Sequence, residues 1–122
     1  MTSRAQKGKC GESIAVAFLR EKGLEILDQN VRSPLGEIDV VARHGPTVVF
    51  VEVKSKHTAR FGLPQEAVTP MKQKRLTRLA QWYLKRHRLE GQSARFDVVA
   101  VSWHGTTPQI EWIANAFEAW RE

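Results

Sequence analysis

Glu37-Ile38-Asp39-Val40-Val41-Ala42 and Val48-Val49-Phe50-Val51-Glu52-Val53-Lys54, separated by His44-Gly45-Pro46-Thr47, decide how this chain folds. Both runs are rich in β-branched residues, which suit a pleated, half-buried surface, and the Gly-Pro centre between them reads as a tight turn. An antiparallel hairpin is expected. With the turn centred between Gly45 and Pro46, residues whose numbers add to 91 face one another, so Asp39 opposes Glu52 and Glu37 opposes Lys54. Directly opposed side chains share a face, as do those two apart on one strand. Asp39, Glu52, Lys54 and Glu37 are therefore expected on one face, together with Val41 and Phe50.

Two carboxylates attached to backbones about 5 Å apart can share one hard divalent cation; left alone they repel, and one holds its proton. Mg²⁺ in such a setting keeps several waters and binds along with a substrate phosphate, where it polarises the phosphoryl oxygen and acidifies a bound water. Lys54 beside the pair would steady the attacking water or the developing negative charge. Spacing alone leaves a second reading open. Glu37 and Lys54 could form a cross-strand ion pair on a solvated face, with Asp39 and Glu52 keeping that face soluble. The apolar neighbours Val41 and Phe50 argue against it, since charges in such strands are seldom left unpaired.

Working outward, Ile14, Ala15, Phe18 and Leu19 give the i, i+3, i+4 stripe of an amphipathic helix over Gly11 to Lys22, stopped by Gly23. Leu24 to Leu27 reads as a short strand, followed by a polar turn through Asn30 to Pro34. Beyond the hairpin, Thr69 is a good N-cap and Pro70 suits the first helical position, where its missing N–H has no helical partner anyway. Leu76, Leu79, Ala80 and Tyr83 form that helix's apolar stripe. Phe96 to Val101 is a near-continuous apolar strand of sheet-interior type. Ile110-Glu111-Trp112 reads as a short edge strand, and Ile113, Ala116, Phe117 and Trp120 as a last helical stripe. The order α-β-β-β-α-β describes an α/β layered domain with a mixed sheet, and the length of 122 residues suits a single domain over 1–122.

The net charge of +6 is unevenly placed. From Lys54 to Arg88 there are ten Lys/Arg and one acid, Glu66, while the rest of the chain has nine bases and twelve acids. A local basic surface favours a polyanion, nucleic acid first and anionic lipid second, although a solvated basic helix reads the same way. Lys56, Arg60, Lys72, Lys74, Arg75 and Arg78 are the residues expected to position a phosphate backbone. A single cysteine, Cys10, excludes an internal disulfide, and the polar, basic start has the pattern of neither a signal peptide nor a membrane anchor, so a cytoplasmic protein without membrane contact is expected.

Glu37-Ile38-Asp39 followed by Val51-Glu52-Val53-Lys54 resembles the D…ExK signature of the PD-(D/E)xK nuclease superfamily, which includes restriction endonucleases and archaeal Holliday-junction resolvases. Gly8-Lys9-Cys10-Gly11-Glu12, Leu35-Gly36-Glu37-Ile38-Asp39, and Phe50 to Lys54 leading into Val68-Thr69-Pro70 and Lys72-Gln73 sharpen the match. Together they resemble the YraN-like bacterial family, described as resolvase-like, over roughly Lys7 to Phe117. The resemblance implies a restriction endonuclease-like three-layer core with helices on both sides of a mixed sheet. It implies Asp39 and Glu52 as ligands of Mg²⁺ or Mn²⁺, and Lys54 as the catalytic lysine. Glu12 sits where related resolvases place a further acid, although a helix-dipole role in the first turn reads equally well. Gln73 matches a glutamine found near the site in some relatives, although an ordinary helix glutamine fits too. Glu37 is a further candidate. The proline of the PD element is replaced by Ile38.

The implied activity is a metal-dependent endonuclease on nucleic acid, DNA ahead of RNA, with branched DNA as a candidate. Two alternatives from other classes remain open: a nucleic-acid-binding module that no longer cuts, and a protein-interaction adaptor whose basic helix meets an acidic partner. His44, His57, His87 and His104 have no ligand spacing, and neither a phosphate-binding glycine loop nor a Ser/His/Asp motif is present. Trp82 and Tyr83 could stack on bases, but Tyr83 fits the core stripe. The Ile113-Phe117-Trp120 stripe is read as core ahead of a homodimer surface.

Overall fold

The computed structural model describes residues 4–56 and 68–119, with side chains from Cys10 onward and without that of Lys56. Along the chain run α1 (Arg4–Glu21), β1 (Glu25–Ser33), β2 (Gly36–His44), β3 (Thr47–Lys56), α2 (Pro70–Arg86), β4 (Ala94–His104) and β5 (Thr107–Phe117). The five strands form one sheet in the order β1-β2-β3-β4-β5. All neighbours are antiparallel except β3 and β4, which are parallel because α2 lies between them in sequence.

A helix lies on each face. Leu76, Leu79, Ala80 and Tyr83 of α2 pack on Ile38, Val41, Phe50, Phe96 and Val98. Ala15, Val16 and Leu19 of α1 pack on Val40, Ala42, Val49, Val51, Val99 and Val101. The near-unbroken apolar runs in β3 and β4 follow from this, since strands covered on both faces have no solvent side to make polar. Thr69 caps α2 with its hydroxyl accepting from the Lys72 N–H at 3.3 Å, and Pro70 is the first residue of the helix.

The chain departs from expectation at three places. The α1 helix begins at Arg4, so Glu12 lies in its middle and has no first-turn dipole role. β1 runs on through the expected polar turn to Ser33, because pairing with β2 and exposure at the sheet edge accommodate polar residues there. The expected last helix is instead β5. Its apolar residues look helical because the β4–β5 register shifts between Phe96↔Phe117 and Val98↔Ile113, leaving extra residues bulged around Asn115 at φ 54°. Trp120 lies outside the described residues.

A buried carboxylate fixes that bulge. Asp97 accepts from the Asn115 N–H at 2.8 Å, from Trp112 Nε1 at 2.9 Å and from Arg95 Nε at 3.0 Å. Arg95 Nη2 also meets His44 Nδ1 at 2.9 Å, tying the bulge to the end of β2.

Candidate functional site

The β2–β3 ladder keeps the expected register from His44↔Thr47 to Val40↔Val51 and ends there. Asp39 and Glu52 are not a ladder pair. Instead Asp39 Oδ2 accepts from the Val53 N–H at 2.8 Å, so a carboxylate takes the place of a strand carbonyl where the two strands part. β1 is irregular at the same level. Its pairing with β2 passes from Gln29↔Val40 to Val31↔Ile38, skipping Asn30 and Asp39, and Asn30 has φ 52°. Ile38 and Val40, two apart, consequently pack on opposite faces of the sheet. The alternation of side chains breaks between Asp39 and Ile38; Asp39 keeps the α2 side that it shares with Val41, where its carboxylate lines an opening.

The opening is a cavity of about 300 Å³ lined by Gly36, Glu37, Asp39 and Glu52 from the sheet and by Lys72, Arg75 and Leu76 from α2. Glu52 Oε1 lies 3.2 Å from Lys54 Nζ, both side chains being largely buried. The expected Glu37–Lys54 cross-strand pair does not form, because the ladder has ended. Glu37 instead faces Arg32 at 3.9 Å on an exposed edge. The Asn30 amide, oriented by its surroundings, donates to Glu12 Oε2 and Glu37 Oε1, each at 3.2 Å. Glu12, from α1 on the far face, is thereby drawn to the same group of carboxylates. Gly11 permits the approach of α1, since a Cβ there would stand 2.7 Å from Ser55 Oγ.

Electrostatics follow from this crowding. Burial, then the charge of Glu52, raises the Asp39 carboxyl to about 7, against the pull of the Val53 N–H; Glu12 and Glu37 add to the rise. Lys72 is held below the usual lysine range, first by its contact with Lys54 and then by that residue's charge. Acids and cations thus face one another across a small cavity.

Of the residues singled out in the sequence, Asp39, Glu52, Lys54, Glu37, Glu12, Lys72 and Arg75 are brought to this one place. Gln73 Nε2 donates to the Val68 carbonyl at 3.0 Å and secures the start of α2. Lys74 and Arg78 are exposed on α2. Lys56 is on β3, but its side chain, like the whole of Arg60, lies outside the described residues. Asn30 and Gly36 were not legible as site residues, because a left-handed strand position and a glycine so close to α2 that a Cβ on it would stand 3.5 Å from Arg75 Cδ are visible only in three dimensions.

The donor set suits a hard cation in part. Asp39 spends Oδ2 on the backbone and Glu52 meets Lys54 with Oε1, so each carboxylate has a second oxygen to offer. A cation between them would also relieve the repulsion that raises Asp39. Among the described residues, no group of three or more His, Cys, Asp or Glu side chains is arranged to hold a metal ion. No helix among them is long and apolar enough to cross a membrane.

The family model described as "Uncharacterised protein family UPF0102" matches residues 11–101. A UPF0102 protein of Syntrophus aciditrophicus (strain SB) is 51% identical over 118 residues, covering 97% of this chain and 93% of the relative. One from Syntrophotalea carbinolica is 46% identical over 115 residues, covering 94% of each. One from Moorella thermoacetica is 50% identical over 99 residues, covering 81% of this chain and 82% of the relative. Among solved structures, "The structure of Pyrococcus Furiosus SfsA in complex with Ca2+" is similar with a TM-score of 0.40 and 16% identity, over 88% of this chain and 62% of that one. A likeness of that grade bears on neither the fold nor the chemistry.

Proposed function

This chain belongs to the UPF0102 family, and from the geometry of its cavity we propose that it is a divalent-metal-dependent endonuclease of the PD-(D/E)xK type, acting on DNA in preference to RNA. The observation that supports this reading is the placement of Asp39. The sheet gives up regular pairing to hold a carboxylate between two strands, beside Glu52 and opposite Lys72 and Arg75. A carboxyl raised to about 7 by burial and a neighbouring acid, facing cations across a cavity, is the kind of group that functional sites collect.

Asp39 and Glu52 would hold Mg²⁺ or Mn²⁺, which when bound supplies a polarised phosphoryl oxygen and an acidified water. Lys54, fixed by Glu52, would stabilise negative charge developing at the phosphorus and orient the attacking water. Lys72 and Arg75 would take the flanking phosphate oxygens. The first turn of α2 has no acid and carries Lys72 beside the helix N-terminus. That arrangement opposes the helix dipole in the free protein and suits an anion there.

The test is cleavage of duplex, single-stranded, flap and four-way-junction DNA, and of RNA, with Mg²⁺, Mn²⁺ or EDTA. Metal-dependent product is expected, lost in Asp39→Ala and in Lys54→Ala while both variants stay folded. Wild-type rates in either variant would remove the site assignment. The lack of a third acidic ligand among the described residues favours a second reading, a DNA-binding module that does not cut. Tight, salt-sensitive binding with no product on any substrate would establish that reading instead.

A further inference from the structure

Asn30 stands where three elements meet. It belongs to β1 and has φ 52°, at the point where the β1–β2 ladder passes from Gln29↔Val40 to Val31↔Ile38. Its amide donates to Glu12 Oε2 of α1 and to Glu37 Oε1 of β2, each at 3.2 Å. One uncharged side chain, with two hydrogens to give, thereby joins two carboxylates that would otherwise repel.

Backbone need accounts for part of this. Asparagine tolerates the left-handed region better than most residues that carry a side chain, and the irregular strand has one such position here. Glycine would meet that need at no steric cost. The amide adds something that glycine lacks, a tie between an acid of the helix on one face of the sheet and an acid that lines the cavity on the other.

The two acids matter through where their charge falls. Glu37 lines the cavity with Asp39 and Glu52, and its other oxygen lies 3.9 Å from Arg32 Nε, so β1 approaches it from two sides. The charges of Glu12 and Glu37 both reach Asp39, where they add to the effects of burial and of Glu52. Four carboxylates thus act on one small space, facing Lys72 and Arg75. A divalent cation between Asp39 and Glu52 would be drawn by all four charges, including the two that do not touch it. Released from the amide, Glu12 and Glu37 would swing apart into water, where their field is screened. Resting on the metal-dependent reading above, we propose that Asn30 is a positioning residue, whose amide holds Glu12 and Glu37 at the cavity and so sets its affinity for a divalent cation.

The test is titration of Mn²⁺ into the metal-free protein, followed by calorimetry and by the paramagnetic resonance signal of the free ion. Asn30→Gly keeps the left-handed backbone and removes the amide. It is expected to bind Mn²⁺ about tenfold more weakly, the size of effect typical of losing an outer partner in a metal site. Glu12→Gln/Glu37→Gln keeps oxygens for the amide and removes both charges, and should show a loss of similar size. Adding Asn30→Gly to that pair should weaken Mn²⁺ no further, because no charge is left to place. The inference is overturned if Asn30→Gly binds Mn²⁺ as tightly as wild type, which would leave Asn30 a backbone role alone. It is overturned equally if Asn30→Gly costs as much in the glutamine pair as in wild type, the mark of a general structural effect. Should Asn30→Gly fail to fold, the glutamine pair decides, and wild-type affinity in that pair would also overturn the inference. Absence of Mn²⁺ binding by wild type would sink the metal reading and this inference together, a result distinct from binding that ignores Asn30.

Discussion

Asp39 is the residue on which most of the proposed chemistry turns, and its environment sets a pH dependence with a definite sign. Its folded-state pKa of about 7 lies above the ordinary 3.8. Above pH 7 the native state carries a buried charge that the unfolded chain holds in water at no cost. Between pH 7 and 4 the native carboxyl takes up a proton that the unfolded one releases, so the residue's contribution to stability rises as pH falls through that window and levels off below it. Asp39→Asn keeps an oxygen to accept from Val53 and removes the charge. It should therefore be more stable than wild type at pH 8, by up to about 4 kcal/mol for a shift of about three units. The gap should close by pH 4. Urea unfolding at the two pH values measures it, and a gap of equal size at both would show that titration of Asp39 is not its source. The hairpin spelled out that Asp39, Glu52 and Lys54 belong together, because period-2 alternation and a two-residue turn are local rules. It could not spell out that Asp39 would leave the ladder. That is set by its bond to the Val53 N–H, at a level where Asn30 of the neighbouring strand also takes a left-handed backbone, and neither is marked in the local pattern.

The helix α2 was legible from Thr69-Pro70 and its apolar stripe, and the structure keeps both the cap and the buried set Leu76, Leu79, Ala80 and Tyr83. β5 was misread because two causes give one spacing. Ile113, Ala116 and Phe117 are three and four apart, as on a helix, but here a bulge brings them to the same core. Nothing local to those residues distinguishes the cases; the distinguishing group is Asp97, on the neighbouring strand. Removing it is a direct test of what holds this edge. Asp97→Ala strands Arg95, whose side chain is 22% exposed, and frees the Asn115 and Trp112 donors. A loss of about 3–5 kcal/mol is expected, the range for removing one partner of a buried ion pair. Chemical denaturation would read it, and a loss under 1 kcal/mol would mean that the bulge holds without its carboxylate.

On the scale of the whole molecule, the basic segment identified by charge counting divides in the fold. Lys54, Lys72 and Arg75 meet at the cavity, whereas Lys85, Arg86 and Arg88 belong to the far end of α2 and the turn after it. If the chain binds duplex DNA as proposed, that binding should depend on salt, and Arg75→Ala should lower the slope of log K against log salt by about 1. Arg86→Ala, whose guanidinium lies over the Trp82 ring at 5.5 Å, should leave the slope unchanged. Equal effects from the two substitutions would mean that the cavity is not the centre of the contact.

The parallel pairing of β3 on β4 also bears on how the chain is built over time. The β1-β2-β3 meander needs only residues up to Lys56, but β4 begins at Ala94. A ribosome adding roughly 5–20 residues per second would leave one edge of Val48-Val49-Phe50-Val51 without a partner for seconds during synthesis. Such a run, apolar and uncharged, is the kind of edge that recruits another copy. Glu52 and Lys54 close that run with charge from its C-terminal side. The residues proposed to cut a phosphodiester in the finished protein thus stand where gatekeeper charges would stand in the nascent one, so substitutions at either position should be judged by soluble yield as well as by rate.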